Sequence, residues 1–151
     1  MTTRLTRHLT APRADVYRAL LDPVAVVHWK VPRSMTSEVH EWDAREGGRL
    51  RVSLTYAGNG EGKTTAHTDT YSGYFAELVP DRKVVEVDEF ETDDPALRGP
   101  MTITVTLADA DDGGTELVAV HEGLPSGVRE EDNELGWNES LDRLAALVEK
   151  R

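Results

Sequence analysis

The side chains best suited to proton transfer fall on runs of alternating residues. Glu38 and His40 precede Trp42 at period two, so an extended strand puts all three on one face. Glu89 is in step with Val85 and Val87, and His121 is in step with Leu117 and Ala119. If those apolar faces are the inner ones, two carboxylates and two imidazoles point into the interior. A desolvated carboxyl there has a raised pKa and serves as a general acid or base. A bulge or a strand end reverses the alternation, and simple hydrogen bonding also accounts for buried polar groups. Two His and two Glu form a donor set for Zn or Mn. No spacing of the HExxH kind brings them together, so no metal site is expected. Gly58 and Gly62-Lys63-Thr64 superficially resemble a phosphate loop. They have one residue too few between the glycines, and strand rather than helix follows, so no cofactor is expected. His67-Thr68-Asp69, at the edge of this Gly-rich stretch, reads as surface.

The elements that must position these residues are legible. Trp137, Leu141, Leu144 and Val148 step by four, three and four, which predicts an amphipathic helix with Glu139, Asp142, Arg143 and Lys150 on its other side. Glu130, Glu131 and Asp132 suit the positive end of that helix's dipole. Thr3 to Thr10 reads as a first strand. Pro12 suits a helix's first turn, Val16, Ala19 and Leu20 form its apolar stripe, and Asp22-Pro23 breaks it before a second short helix ending near Trp29. Six strands follow: Thr36 to Ala44, Leu50 to Tyr56, Thr68 to Val79, Lys83 to Glu91, Met101 to Leu107 and Thr115 to Glu122. Ala57 to Lys63 is expected to be a mobile hairpin loop, and replacement of Ala57 to Thr65 by a short Asn-Gly turn is expected to be tolerated. The order predicts an α+β fold: a curved antiparallel sheet of about six to seven strands, wrapped around a long C-terminal helix, with two short helices after the first strand.

The composition excludes several function classes. The 151 residues suit a single domain over 1–151 that buries roughly 70% of its unfolded surface. A formal charge of -11 argues against nucleic acid and against anionic membrane surfaces. No apolar run reaches the roughly 20 residues of a membrane span, and no secretory leader is evident. Zero cysteines excludes disulfides, thiolate metal sites and a Cys nucleophile, and a cytoplasmic location is expected.

An ordered set of motifs then carries a resemblance. Ala11-Pro12, Val16-Tyr17-Arg18-Ala19-Leu20, Asp22-Pro23 and Trp29 are followed by Arg45-Glu46-Gly47-Gly48-Arg49, Gly73 and Leu78-Val79-Pro80. Gly114-Thr115, His121-Glu122-Gly123-Leu124, Gly136-Trp137, Ser140-Leu141 and Leu144 complete it. Over essentially its whole length the chain resembles the SRPBCC (START/Bet v 1-like) superfamily, and within it the bacterial group named after the heat-shock protein 90 ATPase activator homologue. His28-Trp29-Lys30 departs from the pattern, since many relatives carry paired aromatics there.

The resemblance implies a helix-grip cavity. Its expected lining is Glu38, His40, Trp42, Leu54, Tyr56, Phe75, Glu89, His121, Trp137 and Leu141; Tyr71 and Tyr74 compete for the inner face of one strand. The expected partner is a small hydrophobic molecule, and a homodimer is compatible with the resemblance. Three functions follow: a binding module for an apolar or aromatic molecule, which is favoured; a cyclase- or lyase-like enzyme acting on a hydrophobic, polyketide-like substrate; and a stress-related or chaperone-associated interaction module. A large cavity with buried polar groups favours the first two, and a filled core with an exposed apolar patch favours the third.

Overall fold

Asp22 sits at the corner on which the N-terminal half turns. It ends α1 (Arg13–Leu21) and begins α2 (Pro23–Trp29), where its side chain accepts a hydrogen bond from the Val24 amide at 2.9 Å. Two indoles hold that corner. Trp29 Nε1 donates to the Ala19 carbonyl and Trp42 Nε1 to the Leu21 carbonyl, each at 2.8 Å. The computed structural model describes residues 2–56 and 68–149. The hairpin loop expected at Ala57 to Lys63 lies outside the described residues.

The strands are β1 (Thr2–Leu9), β2 (Met35–Trp42), β3 (Arg49–Tyr56), β4 (Thr68–Val79), β5 (Lys83–Phe90), β6 (Met101–Asp109) and β7 (Thr115–Glu122). They form one antiparallel sheet in the order β1-β7-β6-β5-β4-β3-β2. Thus β2 to β7 run as a meander, and β1 pairs with β7 to close the far edge. The long helix α3 (Glu130–Val148) follows, with Glu130, Glu131 and Asp132 in its first turn. Both the element order and the curved sheet gripping a C-terminal helix agree with the sequence reading.

Inward faces follow from the pairing. Met101, Ile103, Val105 and Leu107 of β6 and Leu117, Ala119 and His121 of β7 are buried against the helices. Along α3 the work is divided. Leu141, Leu144 and Val148 pack on Leu9, Val16, Leu50, Val52, Phe75 and Leu117 in a filled core. A smaller cluster of Met101, Leu124 and Val128, joined by Phe90 and Leu97, lies at the other end. Residues of both clusters border the cavity under the N-terminal half of α3. Asp142 ties that helix to the sheet side through Arg7 and Arg33, each at 2.9 Å. Among the described residues no helix is long and apolar enough to cross a membrane.

Candidate functional site

The cavity has a volume of about 490 Å³. Its walls are largely apolar: Leu54, Tyr56, Phe90, Met101, Ile103, Leu124, Val128 and Trp137. Arg129, Asp132, Leu135 and Glu139 stand at the rim, where α3 begins. Lys30, Asp69, Tyr71, Asp88 and His121 break the apolar wall. A small void beside it, lined by Lys30, Glu86, Ile103 and Trp137 among others, extends the space toward Trp29.

The polar groups form two sets. In the first, the Lys30 ammonium at the end of α2 bonds to the Glu86 carboxylate on β5. Burial disfavours the Lys30 ammonium, but the Glu86 charge beside it, helped by Tyr71 and Asp88, more than reverses this and raises its pKa. Asp88, two positions on, is 2% exposed; neither of its carboxyl oxygens accepts a hydrogen bond from a donor among the described residues, and in its acid form its partner is the Glu86 carboxylate. Burial, reinforced by the Glu86 charge and only partly opposed by Lys30, drives its pKa well above the carboxylate range. Burial likewise raises the Tyr71 phenol. The glycine opposite Asp88 in the ladder, Gly73, makes the room, since a Cβ there would collide with the Asp88 carboxyl and the Val87 carbonyl.

The second set surrounds His121. Its Nδ1 accepts from Trp137 Nε1 at 3.0 Å and lies 3.4 Å from Asn133 Nδ2, which also donates to Thr3 Oγ1 at 3.1 Å. Two donors on Nδ1 place the ring proton on Nε2, which lies 3.2 Å from Met101 Sδ. Burial, with a smaller contribution from the Lys30 charge, pushes the His121 pKa down to about 4. The ring is therefore neutral at physiological pH.

The family described as activator of Hsp90 ATPase homolog 1-like protein matches residues 10–149. The chain belongs to this family. As a member of the Hsp90-activator-homologue-like family it falls in the SRPBCC superfamily, in line with the resemblance. A solved structure from Chromobacterium violaceum is 39% identical, with 99% of this chain and 98% of that chain covered and a TM-score of 0.88. An AHSA1 protein from Silicibacter pomeroyi superposes at a TM-score of 0.79 with 18% identity, covering 99% of this chain and 98% of that one. A protein from Rhodobacter sphaeroides gives 0.80 at 18% identity, over 98% of this chain and 91% of that one. The last two likenesses speak for the fold alone. No curated protein matches the chain.

In this Hsp90-activator-homologue-like chain, four of the ten expected lining residues border the cavity: Leu54, Tyr56, His121 and Trp137. Trp42, Phe75 and Leu141 belong to the filled core instead, with Trp42 edge-on to Phe75 at 5.2 Å between ring centres. Glu38, His40 and Glu89 are corrections. The β2–β3 register shifts between Val39 and Glu41, and this bulge at His40 puts Trp42 back on the inner face while Glu38 and His40 point outward. His40 Nε2 there meets Ser53 Oγ at 2.8 Å. On β5 the inner residues are Val84, Glu86, Asp88 and Phe90, so Glu89 is exposed and accepts from the Gly99 amide at 3.1 Å. Asp69, expected at the surface, is buried in the cavity wall, and His67 lies outside the described residues. Tyr71 takes the inner face and Tyr74 is exposed.

The His121 shift gives this family member a pH-dependent stability of definite sign. Between a pKa of about 4 in the fold and the ordinary His value near 6.5, the unfolded chain binds a proton that the folded chain rejects. Stability therefore falls as pH drops through that window, by up to about 3 kcal/mol. Asp88, with its raised pKa, works in the opposite direction above the carboxylate range. The difference between wild type and His121→Asn isolates the histidine, because the amide keeps an acceptor for Trp137 but does not titrate. Denaturation curves should converge or cross as pH falls from about 6.5 to about 4. A difference independent of pH would exclude a buried neutral His121.

Proposed function

We propose that the protein binds a small apolar or aromatic molecule between the sheet and the N-terminal half of α3. The observation that carries this reading is the cavity itself: about 490 Å³, mostly apolar in its lining, with buried polar groups on its wall. That volume falls within the range of ligand pockets. The superfamily's tendency to hold hydrophobic ligands supports the reading. Among the described residues the exposed large apolar side chains, Val24, Tyr74, Leu135 and Leu147, are spread over α2, β4 and α3, which weighs against a docking patch built from them. Glu38, His40 and Glu89 lie outside the cavity, so they lend an acid–base enzyme no support.

Of the three tryptophans, Trp137 alone lines the large cavity. Native mass spectrometry of the purified protein is expected to find a retained small molecule. Aromatic and lipid ligands should quench tryptophan fluorescence, and Trp137→Phe should remove most of that response. His40→Ala should leave affinity within about twofold, because its ring is on the outer face of β2. Absence of any retained mass, together with no quenching across a diverse panel, would defeat the reading.

A further inference from the structure

Several polar groups on the cavity wall are closed among themselves. Lys30 and, in its acid form, Asp88 both bond to Glu86. His121 is held by Trp137 and Asn133 at Nδ1 and faces Met101 with Nε2, and Asp69 has an interaction partner. Tyr71 differs. Its phenol lies in the fields of Lys30, Glu86 and Asp88 but makes no hydrogen bond among the described residues. The unpartnered side-chain oxygens that are sealed off belong to Ser37 and Asp88, so the Tyr71 hydroxyl is unpartnered and open. β4 lies between β3 and β5 and Tyr71 is on its inner face, so the space this hydroxyl meets is the cavity that its side chain lines.

A tyrosine hydroxyl in an apolar space ordinarily finds a partner. Burial keeps this phenol protonated, so it has an O–H to give. The neighbouring acceptor is occupied, because Glu86 serves both Lys30 and Asp88. Donors are in surplus, since Glu86 takes one of the three N–H groups of the Lys30 ammonium. What this wall lacks is an acceptor. An anionic one gains little, because Glu86 already balances Lys30 and Asp69 lines the same cavity. An alcohol brings a further O–H to a wall already rich in donors. A neutral carbonyl oxygen brings lone pairs and no proton.

We infer that the cavity takes a neutral aryl or alicyclic carbonyl compound, its oxygen accepting a hydrogen bond from the Tyr71 hydroxyl and its hydrocarbon body lying against Leu54, Phe90, Ile103 and Trp137. This rests on the binding reading above and adds the polar end of the ligand.

Three naphthalenes of similar shape test it by equilibrium dialysis at neutral pH: 2-acetylnaphthalene, its oxygen-free counterpart 2-isopropenylnaphthalene, and 2-naphthoate. The ketone is expected to bind about tenfold more tightly than the alkene, the equivalent of one well-placed hydrogen bond, and more tightly than the carboxylate. Tyr71→Phe removes only the oxygen. It should bring the ketone down to the affinity of the alkene while the alkene stays within about twofold, which shows that the pocket is intact. Infrared spectra edited with a carbon-13 label at the carbonyl supply a second readout. The bound C=O stretch should lie below its frequency in hydrocarbon solvent and return toward it in Tyr71→Phe. A ketone preference or a stretch that Tyr71→Phe leaves unchanged would overturn the inference, as would equal binding of ketone and alkene, with the binding reading intact. Tightest binding by 2-naphthoate would overturn it in favour of an anion held at Lys30. No binding by any of the three would overturn both.

Discussion

Replacing Trp137 by alanine is expected to destabilise the fold by about 3–5 kcal/mol. Trp137 heads the buried stripe of α3 and packs into the main core cluster. Its loss removes the largest apolar surface that the helix brings to the sheet. It also withdraws the N–H that His121 Nδ1 accepts at 3.0 Å, leaving a buried acceptor with only the longer Asn133 contact. Because the indole already borders the cavity, the new space merges with it, and the loss should sit toward the lower end of that range. Trp137→Phe should cost about 1–2 kcal/mol less, since it retains most of the apolar area and loses chiefly the hydrogen bond. Urea denaturation provides the measurement. A midpoint for Trp137→Ala equal to wild type would mean that the closing helix does not depend on this contact.

Lys30→Met should also cost about 3–5 kcal/mol, for a different reason. The Glu86 side chain is 3% exposed and Lys30 is its ion-pair partner, so the single change strands a carboxylate beside a second acid, Asp88. The double change Lys30→Met with Glu86→Leu should recover most of the loss, because paired removal of a buried ion pair is often close to neutral. Denaturation of the two single variants and the double variant completes the cycle. Additive losses would show that the two groups do not depend on each other. The cycle also bears on the cavity, whose polar wall would lose Lys30.

The glycines and prolines that punctuate this chain, with the apolar periods between them, were enough to read the element order and the final helix. These are local signals. Pro12 and Asp22-Pro23 delimit α1 and α2 through backbone chemistry that needs no tertiary partner. On β6 and β7 the alternation and the observed inner face coincide: Met101, Ile103, Val105 and Leu107 alternate with Thr and Ala, and His121 follows Leu117 and Ala119 in phase. β5 had no such clarity. Val84 and Phe90 lie on one face and Val85 and Val87 on the other, so the apolar count did not choose between them. Pairing with β6, in which Glu86 meets Ile103 and Asp88 meets Met101, selects the face that carries two buried acids.

The chain's own residues therefore determined the fold class, the gripping helix and the presence of Trp137 and His121 on its cavity side, because short-range periodicity and turn chemistry act within a few residues. Which acids entered the interior was decided by the tertiary structure. One bulge at His40 reverses a whole face of β2, and a one-residue choice of face on β5 exchanges Glu89 for Asp88. Lys30 was visible only as a departure, in His28-Trp29-Lys30, and acquires meaning where the end of α2 meets Glu86, 56 positions away. Contacts of that range depend on register and packing, and strand alternation alone carries no record of either.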